Sequence, residues 1–202
     1  KTYAILFYNY LELLDPSVEV DSFHKQRLSS VIDRKQKIRL HDIEKIVNLI
    51  VDKTGDFGFV LQIGLNIHPS DHGIIGYTLL NCSQLSHAFE LVSKYKRVFN
   101  QGFFTKFELD GPKYFYQIDN EFDLPSVNLI IELDFASVAP FCRLLLGPLY
   151  QNQFRIQKVH FRHEPLSNEK NYSNCFGCQV LFGQKHNRMY FESSVICLPV
   201  HR

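Results

Sequence analysis

The hydrophobic repeat of the chain changes at Gly102, and that change limits the architectures open to it. Before it, apolar residues recur at intervals of three and four. Leu40, Ile43, Ile46, Val47 and Ile50 form the single stripe of an amphipathic helix that ends near Lys53-Thr54-Gly55. Leu85, Ala88, Phe89, Val92, Tyr95 and Phe99 form a second stripe, with Ser83 as its cap and Lys94, Lys96 and Arg97 near the end where the helix dipole favours cations. Between the two, Pro69-Ser70-Asp71 predicts a helix start continuing through Gly73, Gly76 and Tyr77 to Asn81, and two glycines so close imply tight packing. Upstream, Tyr3 to Leu14 is almost continuously apolar and stops at Asp15-Pro16, which reads as a buried helix or a packing arm.

After Gly102, Phe103 to Leu109 and Tyr114 to Ile118 are aromatic and β-branched runs joined by Asp110-Gly111-Pro112, the pattern of a hairpin. Ser126 to Leu146 returns to helical spacing and closes at Gly147-Pro148, with Pro140 expected to kink or split it. Phe154 to His163, Val180 to Phe182 and Met189 to Glu192 read as short strands, the last two linked by the polar turn Gly183 to Asn187. The fold class expected is therefore α+β: a helix-rich N-terminal half followed by an antiparallel sheet crossed by a long helix. At 202 residues the expected organisation is one cooperative unit, with a helical subdomain over about 1–100 and an α+β subdomain over about 101–202.

Lys plus Arg (22) nearly cancels Asp plus Glu (21), so the chain lacks the positive surplus that gripping a phosphate backbone by itself demands. No apolar run approaches the ~20 residues that cross a bilayer, and the N-terminus lacks a signal-peptide pattern, which gives a cytoplasmic protein with no membrane partner as the expectation. The five cysteines, Cys82, Cys142, Cys175, Cys178 and Cys197, are an odd and scattered set, expected as free and mostly buried thiols.

His160, His163, Cys175 and Cys178 supply two imidazoles and two thiols, the donor types of a tetrahedral zinc site. If 154–163 is a strand, however, His160 and His163 point to opposite faces and do not share an ion easily. A redox Cys-x-x-Cys needs its first cysteine exposed at a helix N-terminus, whereas this pair lies between a polar segment and an apolar strand. His68 and His72 are four apart but flank Pro69, so they read as surface or capping groups. With no Gly-x-Ser-x-Gly elbow and no phosphate-cradling glycine loop, no enzyme and no cofactor are expected.

Three ordered blocks then carry a family resemblance: Thr54-Gly55-Asp56-Phe57-Gly58-Phe59, His68 to Tyr77, and Leu85 to Leu91. They are joined by Val159 to Pro165, Tyr172 to Gly183, Asn187 to Phe191 and Leu198-Pro199. Together they resemble the N-terminal "arabinose-binding" domain of AraC/XylS-type regulators over essentially residues 10–202, with Gln179 in place of the usual proline and Cys175 atypical. The resemblance implies a helix-rich sensor with a β subdomain, joined through its C-terminal end to a helix-turn-helix pair that alone would touch DNA. It also implies a small effector of open identity and a homodimer, since two half-sites need two DNA-binding heads. A purely structural dimerisation module is the alternative, and a zinc- or thiol-dependent protein using His163, Cys175 and Cys178 a further one. Convergence of aromatics with few charges places the expected effector between the helical half and the sheet. Phe103, Phe107 and Tyr116 would be its apolar walls and Tyr77, Tyr95 and Arg143 its polar anchors. The helix Gln84 to Phe99, or the arm Tyr3 to Leu14, would form the twofold contact.

Overall fold

The computed structural model describes residues 2–14, 40–99, 102–121 and 124–201, and the chain divides into two compact units, residues 1–59 and 60–202. In the first, helix α1 (Thr2–Leu14) and helix α2 (Leu40–Thr54) are neighbours. Phe7 and Leu11, one turn apart on α1, are fully buried, and Phe7 meets Phe59 edge-on at 5.9 Å between ring centroids. On α2 the expected stripe turns inward: Ile43, Ile46, Val47 and Ile50 are all buried. Gly55 follows with φ 73, the left-handed C-terminal stop that glycine adopts without strain.

Helix α3 (Phe59–Leu65), whose residues from Val60 onward open the second unit, occupies a stretch to which sequence patterning assigns no element. Next, His68 caps a 3-10 turn over Pro69–His72: its Nδ1 accepts from Ser70 N, and Asp71 Oδ2 accepts from His68 N at 2.8 Å. The single helix expected to reach Asn81 is instead broken at Gly73, whose φ 58 and ψ −138 no helix contains, and resumes as α4 (Ile74–Leu79). The close packing expected of the glycines belongs to Gly76, where a Cβ would stand 1.9 Å from the Pro69 carbonyl oxygen. Helix α5 (Leu85–Phe99) buries Leu85, Ala88 and Phe89, and its backbone starts against the C-terminal segment through Leu85 N to Leu198 O at 3.1 Å.

The hairpin forms as expected, with strand β1 (Phe103–Asp110) antiparallel to β2 (Lys113–Asn120) around Gly111. Helix α6 (Pro125–Tyr150) then lays Phe135 against Tyr116 of β2, centroids 6.1 Å apart. Backbone angles stay helical through Pro140, because proline's fixed φ suits a helix and the buried neighbours Ala139, Phe141 and Cys142 hold the turn. The interruption comes at Gly147 (φ 63), the stop read from Gly147-Pro148. The long strand expected over Phe154 to His163 shrinks to β3 (Lys158–His160). Helix α7 (Glu169–Phe176), strand β4 (Gln179–Leu181), strand β5 (Arg188–Glu192) and a short helix α8 (Ser193–Ile196) complete the chain.

The sheet order is β1-β2-β5-β3-β4. Three of its pairings are antiparallel, but β3 and β4 run parallel, which departs from the all-antiparallel expectation. The cause is α7: a parallel neighbour requires a crossover, and the helix between the two strands supplies one. The architecture is α+β, helix-rich at the start and crossed by the long α6.

Candidate functional site

The aromatic inventory is spent on a continuous interior stack. Phe107 stacks on Phe89 at 4.8 Å, and Phe89 meets Tyr116 at 5.6 Å and Phe191 at 5.1 Å. Tyr116 passes to Phe135, and Phe135 to Phe161 at 5.5 Å, around which Tyr172, Phe176 and Phe182 gather. Of the residues expected to contact an effector, Phe107 and Tyr116 are thus brought together through Phe89, and Phe103 is buried on β1. The polar anchors lie elsewhere: Tyr77 is 58% and Tyr95 40% exposed, and Arg143 stands on an exposed face of α6.

A cleft of about 530 Å³ opens at the end of β2. Its lining is polar: Asn120 and Glu121 from β2 and its exit, Asn128 from the first turn of α6, Arg162 and His163 after β3, and Gln184, Lys185 and Asn187 from the loop before β5. Asn187 builds it. Its side chain, 1% exposed, donates from Nδ2 to the Ile118 carbonyl at 3.1 Å and accepts at Oδ1 from Arg162 N at 2.9 Å, so one amide ties β2 to the loop after β3. That loop is fixed a second time from the other side, by Gln184 N to Phe161 O at 2.9 Å and Gly183 N to His163 O at 3.2 Å. Arg162, His163, Gln184 and Lys185 therefore come from two segments tied to each other through their backbones, and Asn120, Glu121 and Asn128 complete the lining. Sequence reasoning singled out His163 alone among these. Part of the signal was present, since Arg162 and Asn187 fall in two of the blocks that carry the family resemblance, but Gln184 and Lys185 lie between blocks and polar loop residues have no period to mark them.

Behind the cleft wall lies a buried acid. His163, with 8% of its side chain exposed, donates Nδ1–H to the Glu164 carbonyl at 2.7 Å and turns Nε2 toward Glu132 Oε1 at 3.7 Å. Glu132 is fully buried on α6 and accepts the Tyr172 hydroxyl at 2.6 Å. Tyr172 in turn accepts from Leu166 N at 2.9 Å and Ser167 N at 3.3 Å, which fixes the start of the crossover. Burial first, then the Glu132 charge, pushes the Tyr172 phenol well up. Burial is also the largest effect on His163 and lowers its pKa, opposed by the Glu164 carbonyl and carboxylate.

The two cysteines do not converge with the histidines. The His160 ring packs against Tyr190 at 5.1 Å, and among the described residues no three His, Cys, Asp or Glu side chains gather where they could hold a metal. Cys175 sits in the last turn of α7 and Cys178 just past its left-handed Gly177. Burial pushes their thiols up, to about 12 and about 11, the reverse of what an activated thiolate requires.

A second polar pair holds α5 to α6. Lys96 forms an ion pair with Asp134, and both side chains are nearly buried. It adds no opening to the surface.

Among curated proteins none matches the chain. Among solved structures, the transcriptional regulator CdpR from Pseudomonas aeruginosa is similar in fold, with a TM-score of 0.59 at 16% sequence identity. The match covers 88% of this chain and 57% of that regulator, so the chain spans little more than half its length. The model of the arabinose-binding domain at the N-terminus of AraC transcription regulators matches residues 27–200. The chain belongs to that family of regulator domains.

Proposed function

We propose that the chain is the effector-sensing and self-associating part of a cytoplasmic AraC-type transcription regulator and is not an enzyme. In this reading its ligand state biases a helix-turn-helix segment elsewhere in the protein. The observation that supports the sensing role is the cleft at the end of β2: an opening of about 530 Å³ falls within the range of small-molecule sites, and its rim is pinned by Asn187 rather than left to side-chain chance. Near-neutral charge supports the division of labour, because a domain with 22 basic and 21 acidic residues is badly equipped to hold a phosphate backbone.

The cleft is the preferred effector site over the aromatic set. Phe103, Phe107 and Tyr116 are packed or buried, so a ligand among them would first have to open the interior stack, whereas the cleft is already open. An effector here acts by binding one arrangement of the regulator better than another, with coupling typically of about 1–3 kcal/mol.

The test is a melting-temperature screen of the chain against small metabolites, paired with light scattering for the oligomeric state. A ligand at a hundredfold excess over its dissociation constant adds about 2.7 kcal/mol and raises the melting point by roughly 5–10 °C. A dimer that no compound stabilises would favour a structural dimerisation module, and a monomer at every accessible concentration would remove the self-association claim.

A further inference from the structure

We propose that the cleft takes a small carboxylate-bearing metabolite, its acid group held by Arg162 and Lys185 and its remaining polar groups by Glu121, Asn128 and Gln184. This rests on the sensing reading and narrows its ligand to a chemical class.

Among the described residues, the cleft holds charges without a partner. Arg162 and Lys185 both line the cleft, and the side chain of neither makes a hydrogen bond or ion pair with any described residue. Glu121 lines the same cleft and forms no salt bridge to either. Both cations come from loops that are tied down at the backbone, through Arg162 N to Asn187 Oδ1 and Gln184 N to Phe161 O. Two cations and one anion thus line the same opening, with no ion pair between them among the described residues. A guanidinium and an ammonium in one cleft suit a carboxylate, which the guanidinium receives as a two-pronged acceptor. Asn128 adds to the same preference, because it brings the first turn of α6, the positively polarised end of a 26-residue helix, to the cleft.

The lining also argues against two other classes. An aliphatic chain would find amides and charges where it needs apolar walls. A neutral sugar would satisfy the amides of Asn120, Asn128 and Gln184 but leave Arg162, Lys185 and Glu121 desolvated without compensation. An acid with an amino or hydroxyl group uses the cations and the anion at once. The volume, far larger than one acid group, leaves room for such a body.

The experiment is calorimetric titration of the full 202-residue chain with L-malate and L-glutamate, with inorganic phosphate and L-arabinose as controls. One of the two acids is expected to bind at one per chain. The double variant Arg162→Gln, Lys185→Gln should weaken it about tenfold or more. Its melting temperature should stay unchanged, since both side chains are exposed. Glu121→Gln should weaken glutamate more than malate, because only the former carries an ammonium for it. Acid binding that ignores the double variant would place the ligand elsewhere and overturn the proposal, as would phosphate binding as tightly as malate. Failure of both acids at millimolar concentration also ends it. Arabinose binding that is indifferent to the double variant would overturn the acid class while leaving the sensing reading intact, and only a screen with no stabilising compound of any class would count against sensing itself.

Discussion

Tyr172 and Glu132 lie 40 residues apart in sequence and meet in the interior, the phenol of α7 donating to the carboxylate of α6 over 2.6 Å with both side chains essentially inaccessible to water. A single bond thus fixes the crossover helix on the long helix, and the same phenol receives the backbone N–H groups of Leu166 and Ser167. Removing the hydroxyl takes a donor from a buried carboxylate and an acceptor from two backbone groups. Tyr172→Phe should therefore cost about 2–4 kcal/mol, more than an ordinary hydrogen bond. Urea denaturation of Tyr172→Phe, Glu132→Gln and the double variant should give a coupling of about 1 kcal/mol or more. Strictly additive losses would show that the pair does not act as a unit.

Close backbone approaches give a second prediction. At Gly64 on α3 a Cβ would stand 2.5 Å from Ala136 Cβ and 2.6 Å from the Leu133 carbonyl oxygen of α6, and at Gly76 it would meet the Pro69 carbonyl. Alanine is favoured over glycine in a helix by about 1 kcal/mol, yet here overpacking of about 1–3 kcal/mol opposes that gain. Gly76→Ala, whose Cβ would come closest to backbone at 1.9 Å from the Pro69 carbonyl oxygen, should be the more damaging. Thermal melts of both variants would decide it, and stabilisation by either would contradict the packing.

How much of this was legible in the sequence follows from which residues have a period. Ile43, Ile46, Val47 and Ile50 announce α2 because burial of one helical face imposes the three-four spacing, and the hairpin at Gly111 is visible because alternation and a turn coincide. Helix α7 was missed, since its sequence, EKNYSNCF, is polar and packs chiefly through Tyr172, Cys175 and Phe176. Missing it hid the crossover, and with it the parallel pairing of β3 and β4. The cleft was hidden for a related reason: the loops of Arg162, Gln184 and Lys185 are joined by Asn187 and by backbone bonds between the 161–163 and 183–184 segments, long-range contacts that local pattern does not encode. Of the aromatics read as effector walls, Phe107 and Tyr116 both pack on Phe89, which fills the space between them.

Acid should weaken the fold as pH falls through the histidine range. His72, His160 and His163 all have pKa values lowered from the ordinary 6.5, with burial the largest cause in each, and Lys96 adding to it at His72. A histidine whose folded pKa is depressed binds fewer protons than the unfolded chain in the window just below 6.5, so stability is full above that pH and declines as pH falls through it. Urea midpoints measured between about pH 7.5 and 5.5 should drop, and His72→Gln should flatten part of the drop. Midpoints that hold steady across this window would show that the histidines protonate freely in the folded protein.

Thiol reactivity follows from placement. Cys197 is exposed, Cys82 and Cys178 are half-buried, and Cys142 and Cys175 are buried with their thiols pushed up by desolvation. Cys175 also lies at the negative end of the α7 dipole and near Glu132, both of which disfavour a thiolate. Alkylation of the native protein at mildly alkaline pH should therefore label Cys197 first, with Cys82 and Cys178 slower and Cys142 and Cys175 protected until the chain unfolds. Because the thiolate is the reacting species, the buried pair should lag the exposed site by at least about tenfold. Rapid labelling of Cys175 in the folded protein would mean that α7 lifts from the long helix far more often than the Tyr172–Glu132 bond allows, and peptide mapping after brief exposure reads this directly.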